Sequence, residues 1–351
     1  MTIYALHGAQ IQVTSLSRDF LDFVSWNLLS RFPKHQNIDF KLDCELSSYD
    51  TVLKKRYFAL PPKSLSYDSK LLLSTGLWLQ KDNLYWTSSR ANISFEQKNI
   101  NSFQVQAQYR ERPDHSVRRW LLRQKTYLYN NYQIILRLSL YAPLFYLFEQ
   151  YKGYFVMHAA GVSGNKRNII LSGLNGIGKT TLALAFAARG YRFLGDNYLL
   201  YDANTVYAFP ESIRVSSKIA QDFGLTSSPN VKLYGKYIIR ANSLNLLAEM
   251  NPNIFLIVVR GPTGKIDSIS LEKALELMFA QGEYLAEYPE YTFMGLNIFA
   301  NTVQRSQLQS TSRPERKLAT TRQMLSKCKL GLLQIGEDEP TENTIIRIEN
   351  F

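Results

Sequence analysis

The stretch Gly173-Leu-Asn-Gly-Ile-Gly-Lys-Thr180 constrains this chain more than any other part of it. Gly173, Gly178, Lys179 and Thr180 fill the pattern G-x-x-x-x-G-K-[ST], and Gly176 adds a further glycine inside the loop. Glycines let a backbone turn so that successive N–H groups point inward at phosphate oxygens. An apolar run, Asn168–Ser172, leads into the loop. Lys179–Ala188 follows with helical composition, and Gly190 sits where a glycine stops a helix. Strand, loop and helix in that order add the positive end of a helix dipole to the loop's own donors. The expected ligand is a nucleoside triphosphate. Gly173, Asn175, Gly176, Ile177, Gly178, Lys179, Thr180 and Thr181 would surround its phosphates, with Lys179 bridging the β- and γ-phosphates and Thr180 ligating Mg²⁺. A second glycine pair, Gly261-Pro-Thr-Gly-Lys265, lacks the four-residue spacing and a following helix, and reads as a hairpin turn.

A chain of 351 residues has room for one large domain or two ordinary ones. The two cysteines, Cys44 and Cys328, have no partner spacing, which excludes a zinc site or disulfide framework and fits a reducing compartment. The N-terminus lacks a basic stretch followed by an apolar one, and the longest apolar runs, such as Ile254–Val259, are strand-sized. A cytoplasmic protein with no membrane partner is expected. The net charge of +12 is the one unusual bulk property. It gathers in Arg110–Lys125 and Arg305–Lys329, yet no recognised nucleic-acid module accompanies it, so nucleic acid is not the expected partner.

Residues 1–130 read as a β-rich region, with short runs at Ile3–Leu6, Ile11–Thr14, Asn83–Thr87, Ile93–Phe95 and Phe103–Tyr109, a short helix at Asp19–Leu29 and a loop at Pro61-Pro62. Residues 131–300 carry the phosphate loop in an α/β domain, and residues 301–351 read as a basic C-terminal extension. Within these regions Tyr127–Leu140 is expected to be extended and Ala142–Gln150 helical. Gly164-Asn165-Lys166 is expected to form a hairpin turn, and Tyr237–Arg240 and Asn253–Arg260 strands. Ser270–Gln281 is expected to form a helix capped by Ser270, Arg313–Leu325 a helix and Thr344–Glu349 a strand.

A phosphate loop alone does not separate kinase from ATPase or GTPase; a carboxylate near the phosphates is needed. Phe193-Leu194-Gly195-Asp196 offers one only 17 positions after Lys179. Strand, loop, helix and the Asp-bearing strand would then follow without interruption and return Asp196 beside the phosphates. The run from His158-Ala-Ala-Gly-Val through Ile-Ile-Leu-Ser-Gly, the phosphate loop, Thr-Leu-Ala and Arg189-Gly190-Tyr191-Arg192-Phe-Leu-Gly-Asp196-Asn197 resembles the catalytic core of the HPr kinase/phosphorylase family. It is closer still to the HPr-kinase-like proteins found beside peptide-modification genes. The resemblance covers roughly residues 130–215.

The resemblance implies a phosphoenolpyruvate-carboxykinase-like P-loop α/β core behind a β-rich N-terminal region. The activity it implies is ATP- and Mg²⁺-dependent phosphorylation of a serine hydroxyl in a carrier protein or peptide. Asp196 matches the family's general base, and with Thr180 it is the candidate metal ligand. His158 alone fits a packed core position; the resemblance implies that it lines the site. The family pattern carries a second aspartate where this chain has Asn197, which removes one negative charge and departs from the phosphorylase or strict metal-binding role of that position. Glu211, Arg214, Lys236 and Arg240 are candidates by position for completing the site. The expected function is therefore a kinase acting on a serine or threonine hydroxyl of a protein or peptide, a ribosomal-peptide tailoring kinase among the options. A nucleotide-binding regulator with little turnover and a small-metabolite kinase stay open. Family members often form oligomers, so a homo-oligomer is compatible.

Overall fold

The chain opens on a hairpin whose turn uses two residues of positive φ, His7 (45°) and Gly8 (88°), as a tight turn between right-twisted strands requires. The computed structural model describes residues 1–27, 38–49, 70–74, 77–80, 83–87, 91–99, 101–110, 132–225, 232–233, 236–239, 244–282 and 313–351. It is a mixed α/β chain whose described residues form four sheets and fall into two compact units, one from Met1 to Lys152 and one from Gly153 onward.

The first unit holds strands β1 (Thr2–Leu6) and β2 (Ala9–Ser15), helix α1 (Arg18–Asn27), and strands β3 (Phe40–Tyr49), β4 (Lys70–Ser74), β5 (Leu77–Gln80), β6 (Asn83–Thr87), β7 (Ala91–Asn99) and β8 (Ser102–Arg110). They form one eight-stranded sheet in the order β1-β2-β3-β8-β7-β6-β5-β4. All five strand runs expected here fall in strands, and the expected short helix is α1. Pro61-Pro62 lies outside the described residues. In β3, which pairs in parallel with both β2 and β8, Leu42, Cys44 and Leu46 are buried while Lys41, Asp43 and Glu45 are exposed, so the strand covers a core with one face only.

The expectation of an extended Tyr127–Leu140 is overturned where it can be seen. Residues 132–136 are helical and run through a π-helical turn, Arg137–Tyr141, into α2 (Ala142–Lys152). Its Ile and Tyr content mimics a strand, but Leu136, Leu138, Leu140, Tyr141 and Leu144 through Phe148 are all buried. A helix apolar on every side is a core helix, and period alone does not separate it from a buried strand.

The second unit carries β9 (Phe155–Met157), β10 (Ala159–Gly164), β11 (Arg167–Gly173), α3 (Lys179–Ala188), β12 (Arg192–Gly195), β13 (Leu199–Tyr201), β14 (Val206–Ala208), β15 (Ile213–Val215) and α4 (Ser217–Asp222). After these come β16 (Lys232–Leu233), β17 (Lys236–Ile239), β18 (Glu249–Met250), β19 (Ile254–Gly261), β20 (Lys265–Ser268), α5 (Leu271–Gly282), α6 (Arg313–Leu325), β21 (Lys329–Gly336) and α7 (Thr341–Asn350). The main sheet runs β12-β10-β11-β19-β21-β20; a four-stranded sheet (β18-β14-β13-β9) and a three-stranded one (β15-β17-β16) complete the unit.

The β10–β11 turn is a hairpin with Asn165 and Lys166 at φ 50° and 62°. Ser270 caps α5 by accepting from the Lys273 N–H at 3.2 Å. Gly261–Lys265 is not the hairpin turn expected, because β21 lies between β19 and β20 and hydrogen-bonds to both. Thr344–Glu349 is not a strand either. Thr344, Ile345 and Ile348 are buried at helical spacing on α7, whose β-branched residues imitate a strand. The segment set apart above as a basic extension supplies α6, α7 and a central strand of this sheet. Several of its cations are engaged at home: Arg322 pairs with Glu272 at 3.2 Å, and Lys329 lies 4.2 Å from the Phe351 ring centre.

Candidate active site

Four strands of the main sheet run in one direction. β11, β19 and β21 are mutually parallel, and β12 shares their sense because both it and β11 are antiparallel to β10. Their carboxyl ends therefore lie along one edge, where open α/β sheets bind ligands. The phosphate loop leaves that edge from β11 and Asp196 leaves it from β12.

Two glycines of the loop are fixed by geometry. Gly178 caps α3 at φ 117°, a conformation closed to ordinary L-residues. At Gly173 a Cβ would stand 2.7 Å from the Val258 carbonyl oxygen of the neighbouring strand. Between them Ile177 packs against the core, while Leu174, Asn175 and Gly176 are exposed. The loop is thus anchored at one side chain and presents backbone. Helix α3 ends as the sequence implies: the Gly190 N–H reaches Ala187 O (3.0 Å), the Tyr191 N–H reaches Phe186 O (3.1 Å), and the Phe186 and Tyr191 rings sit 4.9 Å apart. That stop turns the chain straight into β12, and so sets where Asp196 emerges.

The Thr180 hydroxyl donates to Asp196 Oδ2 at 2.8 Å. Lys179 is only 5% exposed, and its ammonium donates to Gly173 O (2.7 Å) and Leu174 O (2.9 Å). Burial lowers its pKa to about 8; Asp196 pulls it up, and Lys236 pushes it down. Asp196 is 8% exposed, and burial raises its pKa. The hydrogen bond from Thr180 and the charges of Lys179 and Arg214 work against that rise, while Glu211 adds to it.

Asn197 takes φ 75° and donates from Nδ2 to Glu211 Oε2; the other oxygen of Glu211 pairs with Arg214 Nη2 at 3.1 Å. The Glu211 side chain is fully buried. Glu211, Arg214 and Lys236, named above by position only, thus gather electrostatically around Asp196 and Lys179. Arg240 lies outside the described residues. His158 is half-buried at the junction where the chain passes from β9 to β10. One register step beyond the Ala159–Ser172 pair places it level with Gly173, at the root of the loop. Thr181 follows Thr180 in the first turn of α3, half-buried.

Sequence reasoning passed over Arg260. It is the penultimate residue of β19, and its Nη2 is 3.6 Å from where a Cβ on Gly178 would stand. The signal was readable only with the strand order in hand, since a charged residue closing an apolar run otherwise marks a strand end.

Among the described residues no group of three or more His, Cys, Asp and Glu is placed to hold a metal. Magnesium does not need one: it binds through one or two protein oxygens together with substrate phosphates. The paired Thr180 and Asp196 oxygens at the loop fit that donor set. No described helix is long and apolar enough to cross a membrane.

No family model matches the chain, and no curated protein does. Among solved structures it is similar to the Hpr(Ser) kinase/phosphatase from Coxiella burnetii, at 9% identity and TM-score 0.28, over 56% of this chain and 94% of that one. The likeness is a distant one of fold and carries nothing about chemistry.

Proposed function

We propose that this protein is an ATP-dependent kinase that transfers the γ-phosphate to a serine or threonine hydroxyl of a protein or peptide. The observation that carries the reading is the 2.8 Å hydrogen bond from Thr180 to Asp196 at the mouth of the phosphate loop, with Lys179 beside it. The loop N–H groups and the Lys179 ammonium hold the polyphosphate, and their fixed charge supplies most of the rate enhancement. Mg²⁺, when bound at Thr180 and Asp196, neutralises charge on the phosphates. Asp196 accepts the proton of the acceptor hydroxyl. Its raised pKa suits that role, because a base works best with a pKa near the working pH. Glu211 and Arg214 hold Asn197 and the charge balance around it.

Incubation with γ-labelled ATP, Mg²⁺ and a serine/threonine peptide library tests this directly. Labelled peptide is expected from the wild-type chain and none from Asp196→Asn, while the variant stays folded. Transfer by Asp196→Asn at the wild-type rate would sink the base assignment. Asn197 favours a second reading, a nucleotide-binding regulator, because it leaves one carboxylate fewer than the resemblance implies. Tight ATP binding with no transfer to any acceptor would decide for it.

A further inference from the structure

Of the cations around the loop, Arg260 is the one that neither the motif nor the resemblance assigns. It stands at the carboxyl end of β19, the strand parallel to and hydrogen-bonded with β11. The register pairs Gly173 with Val258, so Arg260 lies two residues further along, past the point where the loop leaves the sheet. Val258 is buried, Val259 half-buried and Arg260 exposed, as the strand emerges from the core at this edge. Its guanidinium comes to the cap of α3: Nη2 is 3.6 Å from where a Cβ on Gly178 would be, and Nη1 donates to Gly336 O across a long 3.4 Å. Among the described residues Arg260 forms no ion pair with a carboxylate.

A guanidinium is always charged and offers a planar fork of N–H donors that matches phosphate oxygens, whereas its weak carbonyl contact uses only one of them. An arginine serving only to tie β19 to β21 would gain little from a 3.4 Å contact. We infer that Arg260 is a phosphate-binding residue, a second fixed cation that meets the polyphosphate of the bound nucleotide from the β19 side of the loop. This rests on the reading of the loop as a triphosphate site and adds a residue to it. Lys179 approaches from the first turn of α3 and Arg260 from the end of β19, so the phosphates are held between one charge from the helix and one from the strand. The contact is to phosphate and not to base or ribose, so inorganic tripolyphosphate should feel it as much as ATP does.

Calorimetric titration of the full chain with Mg·ATP and with Mg·tripolyphosphate tests this, for wild type, Arg260→Ala and Arg260→Lys. Arg260→Ala is expected to weaken both ligands by about tenfold and by the same factor, as loss of a charge-assisted hydrogen bond does. Arg260→Lys should recover part of that loss, since it restores the charge without the fork. Binding of both ligands by Arg260→Ala within twofold of wild type overturns the inference and leaves the loop reading standing. So does a lowered melting temperature at unchanged affinity, which would make the guanidinium a tie between β19 and β21. Wild-type protein that binds neither ligand would take the loop reading down, and Arg260 with it.

Discussion

The two units of this chain bury polar side chains in different ways. In the first, two buried polar side chains turn back on their own helix: Asn27 Nδ2 donates to Phe23 O at 2.9 Å, and Ser139 Oγ to Ile135 O at 2.7 Å. Burial pushes the Cys44 thiol up to about 12, so it packs as a small apolar group and not as a nucleophile. In the second unit three ionisable side chains, Lys179, Asp196 and Glu211, are buried, and hydrogen bonds reach them across elements: Thr180 on α3 to Asp196 after β12, and Asn197 to Glu211 ahead of β15. A side chain that satisfies its own helix stabilises it locally. Charges drawn out of water from three separate elements into one place cost stability, and such clusters mark functional sites. Three ionisable side chains are buried around one loop in the second unit, whereas His7 and Glu149 of the first are buried on separate elements.

The largest effect that would break this contrast is at Lys179. Lys179→Met should abolish phosphate transfer, to below a hundredth of the wild-type rate on the order-of-magnitude worth of a phosphate-clamping cation. Its folding stability at pH 7 should be equal to or above that of the wild type, because a buried ammonium is removed. The sign is checkable with pH. With the folded pKa near 8 and the ordinary value at 10.5, the unfolded chain holds a proton that the folded chain has released across that window. Wild-type stability should therefore gain from this group between about pH 8 and 10.5, and Lys179→Met should lack that gain. Denaturant melts at pH 7 and pH 9.5 measure both. A Lys179→Met chain that loses several kcal/mol at pH 7 would make the lysine structural and erase the contrast.

In the first unit the corresponding change is Phe20→Ala. Phe20 is fully buried, edge-on to Tyr132 with ring centres 5.0 Å apart. Its truncation should cost about 3–5 kcal/mol. Nucleotide affinity of the folded protein should stay at the wild-type value. A large change in ATP binding at full folding would show that the first unit shapes the site.

Much of the candidate site was legible because its parts are close in sequence. Gly173 through Thr180 and then Asp196 follow one strand–loop–helix–strand passage, and the turn at Gly190 fixes how that passage closes. Glu211, Arg214 and Lys236 could be named only by position, since their meeting depends on the three-stranded sheet that sets β15 beside β17. Arg260 depends on strand order, which no local pattern encodes. In the fold, β3 was missed although Leu42, Cys44 and Leu46 alternate with Lys41, Asp43 and Glu45 as a half-buried strand should. α7 and the helix before α2 were misread for the opposite reason. Their isoleucines favour strands locally, and burial at helical spacing overrode that preference.

The smallest effect sharpens the charge side of the comparison. Asn197 adopts φ 75°, which Asp and Gly also tolerate, so Asn197→Asp should fold without backbone strain. Its new carboxylate would face the buried Glu211 oxygen that now accepts a hydrogen bond from Asn197. Two like charges in one place repel. The penalty, about 1–2 kcal/mol for the lost hydrogen bond and the repulsion, should then be present at pH 8 and shrink in acid, where a carboxylate takes up a proton. Asn197→Gly, which loses the hydrogen bond without adding charge, should show a smaller deficit at pH 8. Thermal melts of both variants at pH 5 and pH 8 separate the cases. If Asn197→Asp matches the wild type at pH 8, the neighbourhood of Glu211 and Arg214 has cation to spare, and the missing second carboxylate is no obstacle to turnover.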